Sequence, residues 1–356
     1  MVRYVIAAAA CGVAAASLGC DGASSEAGTD PCDPENLIWV YSRIVDTASP
    51  AYPEAVHAWH DDAEARLTDD DAASAPAVSP DGQSIVFQRG SEGDPESAGY
   101  SRYRLYVMDG DGSHQRPLLT PANDSPERDD GAPRWDTGAV WSPDGSRVAF
   151  VRNSGFTEPG AKPGDVHQVM VVSADGGELL PLPGSTTLYE AGPAWSSDGE
   201  RLAWIASEES EGSTLYWASA DGTRSGSIPL SVDAYGPPAW VDDDGSIAVS
   251  YFADDDTQLA DTELLKVDVA SSETETLDVP MAQLWTLPTG ELAGYESDVG
   301  DHTLVVIDDL DNLDSRQEIL SIDRSSALPE GTTYDRTRGA ATAVPDAPNG
   351  WAACTT

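Results

Sequence analysis

The sequence predicts an all-β protein: a six-bladed β-propeller of four-stranded antiparallel blades, its ring closed by a blade built from both termini. Three observations carry this. A segment with a tight Asp-Gly turn recurs along the chain. The stretches between copies read as short apolar strands bounded by Gly, Asp and Pro. No long stretch shows the 3.6-residue apolar period of a helix.

The repeat is explicit. Pro76-Ala77-Val78-Ser79-Pro80-Asp81-Gly82 is followed by Ser84-Ile85-Val86-Phe87, and Ala139-Val140-Trp141-Ser142-Pro143-Asp144-Gly145 by Arg147-Val148-Ala149-Phe150. Pro193-Ala194-Trp195-Ser196-Ser197-Asp198-Gly199 precedes Arg201-Leu202-Ala203-Trp204. Two weaker copies begin at Pro238 and Gln283. The marker glycines Gly82, Gly145, Gly199, Gly245 and Gly290 are 63, 54, 46 and 45 residues apart.

Each copy has one grammar. A first strand carries Trp or Val. A turn reverses it, with Gly free to take positive φ. A second apolar strand follows, then a variable loop. Third strands are expected at Arg104–Met108, Gln168–Val172, Thr214–Trp217 and Leu264–Val267, each leading to a polar turn such as Asp109-Gly110-Asp111-Gly112. A fourth strand ends the unit, as in Pro117-Leu118-Leu119. Four antiparallel strands per repeat of this length define a propeller blade.

The motif W-S-P-D-G-x-x-[IVL]-[AV]-[FW] resembles the PD-type, WD-like repeat of TolB-type β-propellers. The resemblance covers residues 32–356. It extends to the propeller module only, since no segment resembles the α/β domain that precedes the propeller in TolB. It implies protein–protein contact in a bacterial envelope.

Asn36–Ser42 aligns with the second strand of a blade, with Val56–Trp59 and Ala65–Thr68 as its third and fourth. The first strand is missing at this end. At the other end Gly339–Val344, followed by Ala347-Pro348-Asn349-Gly350, reads as an orphan first strand and turn. Five internal units and one composite make six.

The N-terminus reads as an address. Residues 1–19 have an early Arg3 and an apolar run from Tyr4 to Ala16, the pattern of a secretory signal too short to span a bilayer. The ending Ser17-Leu18-Gly19-Cys20 resembles a bacterial lipobox, with Ser17 where that motif usually has Leu. The resemblance implies lipidation of Cys20; the alternative is ordinary cleavage that releases a soluble protein. Residues 20–31 are small, polar and Gly/Ser-rich, a flexible linker. Cys11 leaves with the signal, so Cys32 and Cys354 remain at the two ends of the mature body. In an oxidising compartment they invite a disulfide that clasps the ring.

Composition excludes some partners. Against 62 Asp and Glu stand 19 Lys and Arg, a formal net charge of −43. Nucleic acid needs a basic stripe, and an anionic bilayer needs basic clusters. Contact with a membrane is therefore expected through the lipid alone.

In a propeller the strand 1–2 and strand 3–4 turns share one face, here short and regular. The opposite face carries the long insertions, and loops on a rigid scaffold carry binding work. The candidate contacts on that loop face are Tyr100, Arg102, Arg134, Trp135, Phe156, Tyr189, Tyr235, Tyr334, Arg336 and Arg338, aromatics and arginines being the usual anchors. The tryptophans Trp141, Trp195, Trp240 and Trp285 are assigned to packing between blades. Asp81, Asp144 and Asp198 are assigned to their own turns. His57 and His60 lie three apart on a strand, a spacing that turns them to opposite faces and argues against a shared metal. No catalytic residue, metal ligand set or cofactor is assigned. The runs Asp242–Asp244 and Asp254–Asp256 leave weak Ca²⁺ binding open.

The resulting expectation is an exported, monomeric, lipid-anchored binding scaffold that engages an envelope protein or cell-wall component. The alternative is a hydrolase or lactonase, glycoside-type, with its site at the channel mouth.

Overall fold

A computed structural model of the chain describes residues 38–44, 54–60, 63–70, 72–90, 103–119, 135–153, 167–184, 189–190, 192–208, 212–252, 262–277, 279–286, 292–298, 301–307, 310, 317–323 and 351–352. Cys20, Cys32 and Cys354 lie outside the described residues, as do residues 1–31, where the signal and linker are expected, Gly339–Val344 and Asp254–Asp256.

Every regular element among the described residues is a strand, and the strands form six antiparallel sheets. Near the N-terminus run β1 (Ile38–Ile44), β2 (Glu54–His60) and β3 (Ala63–Arg66). The next sheet is β4 (Ala73–Val78), β5 (Ser84–Gly90), β6 (Tyr103–Asp109) and β7 (Arg116–Pro117). The third is β8 (Trp135–Trp141), β9 (Arg147–Asn153), β10 (His167–Ser173) and β11 (Leu180–Pro181).

In the fourth sheet the first strand is split. Both β12 (Tyr189–Glu190) and β13 (Ala194–Trp195) pair with β14 (Arg201–Glu208), which pairs with β15 (Gly212–Ser219) and then β16 (Ser225–Pro229). The fifth is β17 (Ala234–Val241), β18 (Ser246–Phe252), β19 (Thr262–Asp268) and β20 (Thr274–Leu277). The sixth is β21 (Met281–Thr286), β22 (Leu292–Asp298), β23 (Asp301–Ile307) and β24 (Gln317–Asp323). Finally β25 (Trp351–Ala352) pairs with β1, placing Ile38 opposite Ala352 and Trp39 opposite Trp351. The C-terminal strand thus sits in the first-strand slot of the N-terminal sheet. It comes after Asn349-Gly350, whereas the sequence pattern predicts it before them.

The strands of the second to fifth sheets are apolar on both sides because each of these sheets is sandwiched between two others. Strand alternation sends β9 residues Val148 and Phe150 into a core with Ala77, Val86 and Leu105 of the preceding sheet. Its neighbours Ala149 and Val151 join Trp195, Leu202 and Trp204 of the following sheet. The same layering recurs between the fourth and fifth sheets around Trp240, Ile247 and Val249, and between the fifth and sixth around Met281 and Leu284.

The turns explain the repeat motif. Gly82, Gly145 and Gly199 have φ of 67°, 68° and 69°, a region closed to most side chains. Ahead of each, a serine hydroxyl donates to the turn aspartate: Ser79 to Asp81, Ser142 to Asp144 and Ser196 to Asp198, all at 2.6 Å. The same carboxylate accepts the backbone N–H two residues on, from Gln83, Ser146 and Glu200. These aspartates are occupied by their own turns. So is Asp111 of the Asp109–Ser113 turn, which accepts the Ser113 N–H.

Three tryptophans lock consecutive blades. The indole N–H of Trp141 donates to the Ala77 carbonyl, that of Trp195 to Val140 and that of Trp240 to Ala194, each in the preceding sheet. Trp141, Trp195 and Trp240 stand opposite Val148, Leu202 and Ile247 on their second strands. Trp285 departs from this set. It pairs with Ala293, and Thr286 takes the equivalent place opposite Leu292, its hydroxyl donating to the Trp240 carbonyl.

Candidate functional site

The first strands of successive sheets approach one another, β4 to β8, β8 to β13, β13 to β17, and β17 to β21, so they form the inner wall. Each internal first strand breaks register at one level. Shifts lie between Ser74 and Ala77, Thr137 and Val140, Tyr235 and Ala239, and Ala282 and Trp285, while the fourth sheet breaks between β12 and β13. These are bulges, which bend a strand and re-aim what precedes it. Gly138 has φ 63° there, and a Cβ on it would stand 3.3 Å from the Gly192 Cα of the next blade. At this bulge two adjacent inner strands come into backbone contact.

Beyond the bulge, each first strand runs to the loop face. Trp135 opens β8 opposite Asn153, and Tyr189 opens β12 opposite Ser207, the same register position in neighbouring blades. Tyr235 lies on β17 opposite Ser250, two positions nearer the bulge. The structure thus brings three of the ten loop-face candidates to the inner strand ends. Tyr100, Arg102, Arg134, Phe156, Tyr334, Arg336 and Arg338 lie outside the described residues.

Next to Trp135 sits a charged group that sequence reasoning missed. Asp136 is fully buried. Its two oxygens accept from Arg152, Nε at 2.8 Å and Nη2 at 3.0 Å, across the β8–β9 pair. Arg104 of the preceding sheet brings Nη1 to 3.6 Å of the same carboxylate. One carboxylate thus ties two blades at the loop-face end. At this level the second, fourth and fifth sheets place Ala73, Glu190 and Ala234, paired with Arg89, Ala206 and Tyr251, so the repeat sets no residue type that would mark the aspartate.

Nearby polar groups are also engaged. Arg89 pairs with Asp70 at 2.9 Å, and its guanidinium lies 4.5 Å from the Tyr106 ring centre. Tyr251 hydrogen-bonds its cross-strand neighbour Glu263; burial first, then that carboxylate, pushes the phenol above its ordinary pKa and keeps it protonated.

On the turn face, Asp242, Asp243 and Asp244 all adopt positive φ. Asp244 caps the neighbouring blade's turn, accepting from the Ser197 N–H at 2.9 Å and the Ser197 hydroxyl at 2.8 Å, and Asp242 pairs with Lys266 at 2.8 Å. Two of the three carboxylates in this run serve the fold. Among the described residues no three His, Cys, Asp or Glu side chains converge as metal ligands.

No family model and no curated protein sequence matches the chain. Solved structures do. TolB from Acinetobacter baumannii superposes with a TM-score of 0.50 at 12% identity, over 76% of this chain and 61% of that one. An oligogalacturonate lyase from Vibrio parahaemolyticus gives 0.51 at 12% identity, over 85% and 82%. The acylaminoacyl peptidase of Pyrococcus horikoshii gives 0.51 at 16% identity, over 80% of this chain and 44% of the peptidase. The chain therefore spans less than two thirds of that TolB and less than half of the peptidase. At such identities the likeness speaks to architecture alone. By its sheets, its repeat and these superpositions, the chain has a β-propeller fold similar to the propeller of TolB.

Proposed function

We propose that this is an exported bacterial lipoprotein, anchored through Cys20, whose propeller is a binding scaffold for a protein or cell-wall component of the envelope. The observation that carries this reading is the placing of Trp135, Tyr189 and Tyr235 on the loop-face part of the inner strands, beside a carboxylate, Asp136, that is engaged in the fold. A hydrolase or lactonase needs a carboxylate at the channel mouth that can reach substrate and move a proton. The buried carboxylate at that end has both oxygens on guanidinium donors and braces two blades. The aromatics Trp135, Tyr189 and Tyr235 share the same strand ends, and such residues are favoured contact anchors.

The test places a photo-crosslinking amino acid at 135, 189 or 235 in cells. One envelope component captured from these positions, and lost when the crosslinker is moved to the turn face, supports the scaffold. Turnover of a glycoside or lactone panel by the purified protein, abolished by Asp136→Asn in a folded variant, overturns it. Anchoring is tested separately. Cys20→Ala should move the protein from membranes to the soluble exported fraction; unchanged fractionation refutes the lipid anchor.

A further inference from the structure

A slot on the turn face recurs between blades and is filled twice by the chain's own arginines. Arg147 opens the second strand of the third sheet. Its guanidinium carbon lies 4.8 Å from the centre of the Trp195 ring in the next blade, and its Nη2 donates to the Gly199 carbonyl at 2.7 Å. Arg201 repeats this one blade on, 4.5 Å from the Trp240 ring and 2.8 Å from the Asp244 carbonyl. In each case the accepting carbonyl belongs to the residue four after the tryptophan. Each slot thus offers an aromatic face and a carbonyl that together match a planar, five-donor guanidinium.

A third copy of the slot exists without its arginine. Trp141 supplies the ring, still oriented by its indole N–H on Ala77, and Gly145 is the residue four later. The strand position that holds Arg147 and Arg201 is here Ser84. Two measures show the space. Trp195 and Trp240 are buried, 7% and 0% exposed, whereas Trp141 is only half-buried. A Cβ on Gly199 would meet Pro143 at 3.5 Å and the Arg147 guanidinium at 3.8 Å; on Gly145 it would meet Pro80 alone within 4 Å. Among the described residues no guanidinium lies over Trp141.

We infer that the Trp141–Gly145 slot takes an arginine side chain from a basic segment of a partner protein. The chain itself shows which side chain such a slot holds and in what pose. The net charge of −43 draws a basic segment toward it and disfavours an acidic one. The inference goes beyond the scaffold reading and does not depend on it, since it concerns the opposite face.

The test uses the mature protein and a capped Gly-Arg-Gly peptide, with a Gly-citrulline-Gly peptide as the uncharged isostere. The indole Nε1–H signal of Trp141, assigned by its loss in Trp141→Phe, should shift saturably with the arginine peptide and at least tenfold less with citrulline. Ser84→Arg should fill the slot from within, abolish the shift and raise the melting temperature, while Ser84→Gln keeps the shift. No shift in the wild type, an equal shift with citrulline, or an undiminished shift in folded Ser84→Arg each overturns the inference.

Discussion

Arg147 belongs to one blade and serves the next: its guanidinium covers the Trp195 ring and donates to the Gly199 carbonyl. Arg147→Ala removes a cation–π contact and a charge-assisted hydrogen bond, and should cost about 1–2 kcal/mol in denaturant unfolding. Arg147→Lys should recover only part, because an ammonium cannot both stack and donate in that plane. A double-mutant cycle with Trp195→Phe should give a smaller coupling than Arg147 loses alone, since Phe keeps an aromatic face while the Gly199 bond is unaffected.

Asp136 presents the larger energy. Removing it leaves buried Arg152 without its bidentate partner, the situation that costs about 3–5 kcal/mol where it has been measured. Asp136→Ala should therefore destabilise severely. Pairing it with Arg152→Met should recover much of the loss, because the stranded charge is gone. Arg104→Ala should cost less than Asp136→Ala, its contact being longer, at 3.6 Å, and more exposed. If the double variant is no better than Asp136→Ala, the carboxylate has a role other than neutralising Arg152.

The bulge contact gives an asymmetric prediction. Gly138 has positive φ and its Cβ would press on Gly192; Gly192 carries no such φ, and its own Cβ would find only ordinary contacts at 3.7 and 3.8 Å. Gly138→Ala should destabilise by about 1–2 kcal/mol, and Gly192→Ala should be near neutral. Thermal unfolding of the two variants measures the difference, and equal effects would contradict a close backbone approach between these inner strands.

Much of the fold is legible in the sequence because a repeat repeats its chemistry. The turn glycines, the Ser-x-Asp pairs behind Asp81, Asp144 and Asp198, and the wedge role of Trp141, Trp195 and Trp240 all show at fixed offsets in the sequence. Trp285 breaks the pattern because the chain connects Thr286 to Leu292 through one residue fewer than the other copies use, which shifts the register by one. Asp136 and Arg152 are hidden for a different reason. Their partnership depends on a bulge that no local pattern announces, and one Asp among 62 acidic residues carries no mark of burial. Arg147 over Trp195 is a contact between repeats, so no reading within one repeat could find it.

Turn carboxylates contribute stability that acid removes. At Asp144 and Asp198 partial burial opposes ionisation, but hydrogen bonds from Ser142 and Ser146, and from Ser196 and the Glu200 N–H, outweigh it and lower both pKa values. At Asp221 the Ser219 hydroxyl, then Thr223, lower it to about 2. Folded values below unfolded ones give stabilisation that is present above the ordinary carboxylate range and lost as pH falls through the folded values. His114 has the opposite sign. The Asp109 hydrogen bond raises its pKa, so its contribution is complete below the unfolded value of 6.5 and fades as pH rises through the folded one. Carboxyl NMR titration should show Asp221 moving up toward the ordinary range in Ser219→Ala, and Asp109→Asn should return His114 toward 6.5. Unchanged midpoints would refute these causes.

The pairing of β25 with β1 gives the proposed clasp a geometric setting. Ile38 faces Ala352 in an antiparallel register, so the chain before Ile38 and the chain after Ala352 leave the same end of the sheet. Cys32 lies six residues before the one and Cys354 two after the other. A Cys32–Cys354 disulfide would close a loop of nearly the whole propeller, where chain-entropy models give stabilisation of about 4–5 kcal/mol when native strain is ignored. Mass analysis of the protein under non-reducing conditions should find the two cysteines linked. Cys354→Ser should then lower the melting temperature to that of the reduced wild type, and reductant should have no further effect on the variant. Two free thiols would refute the clasp and leave the β1–β25 pairing to hold the ends by backbone hydrogen bonds alone.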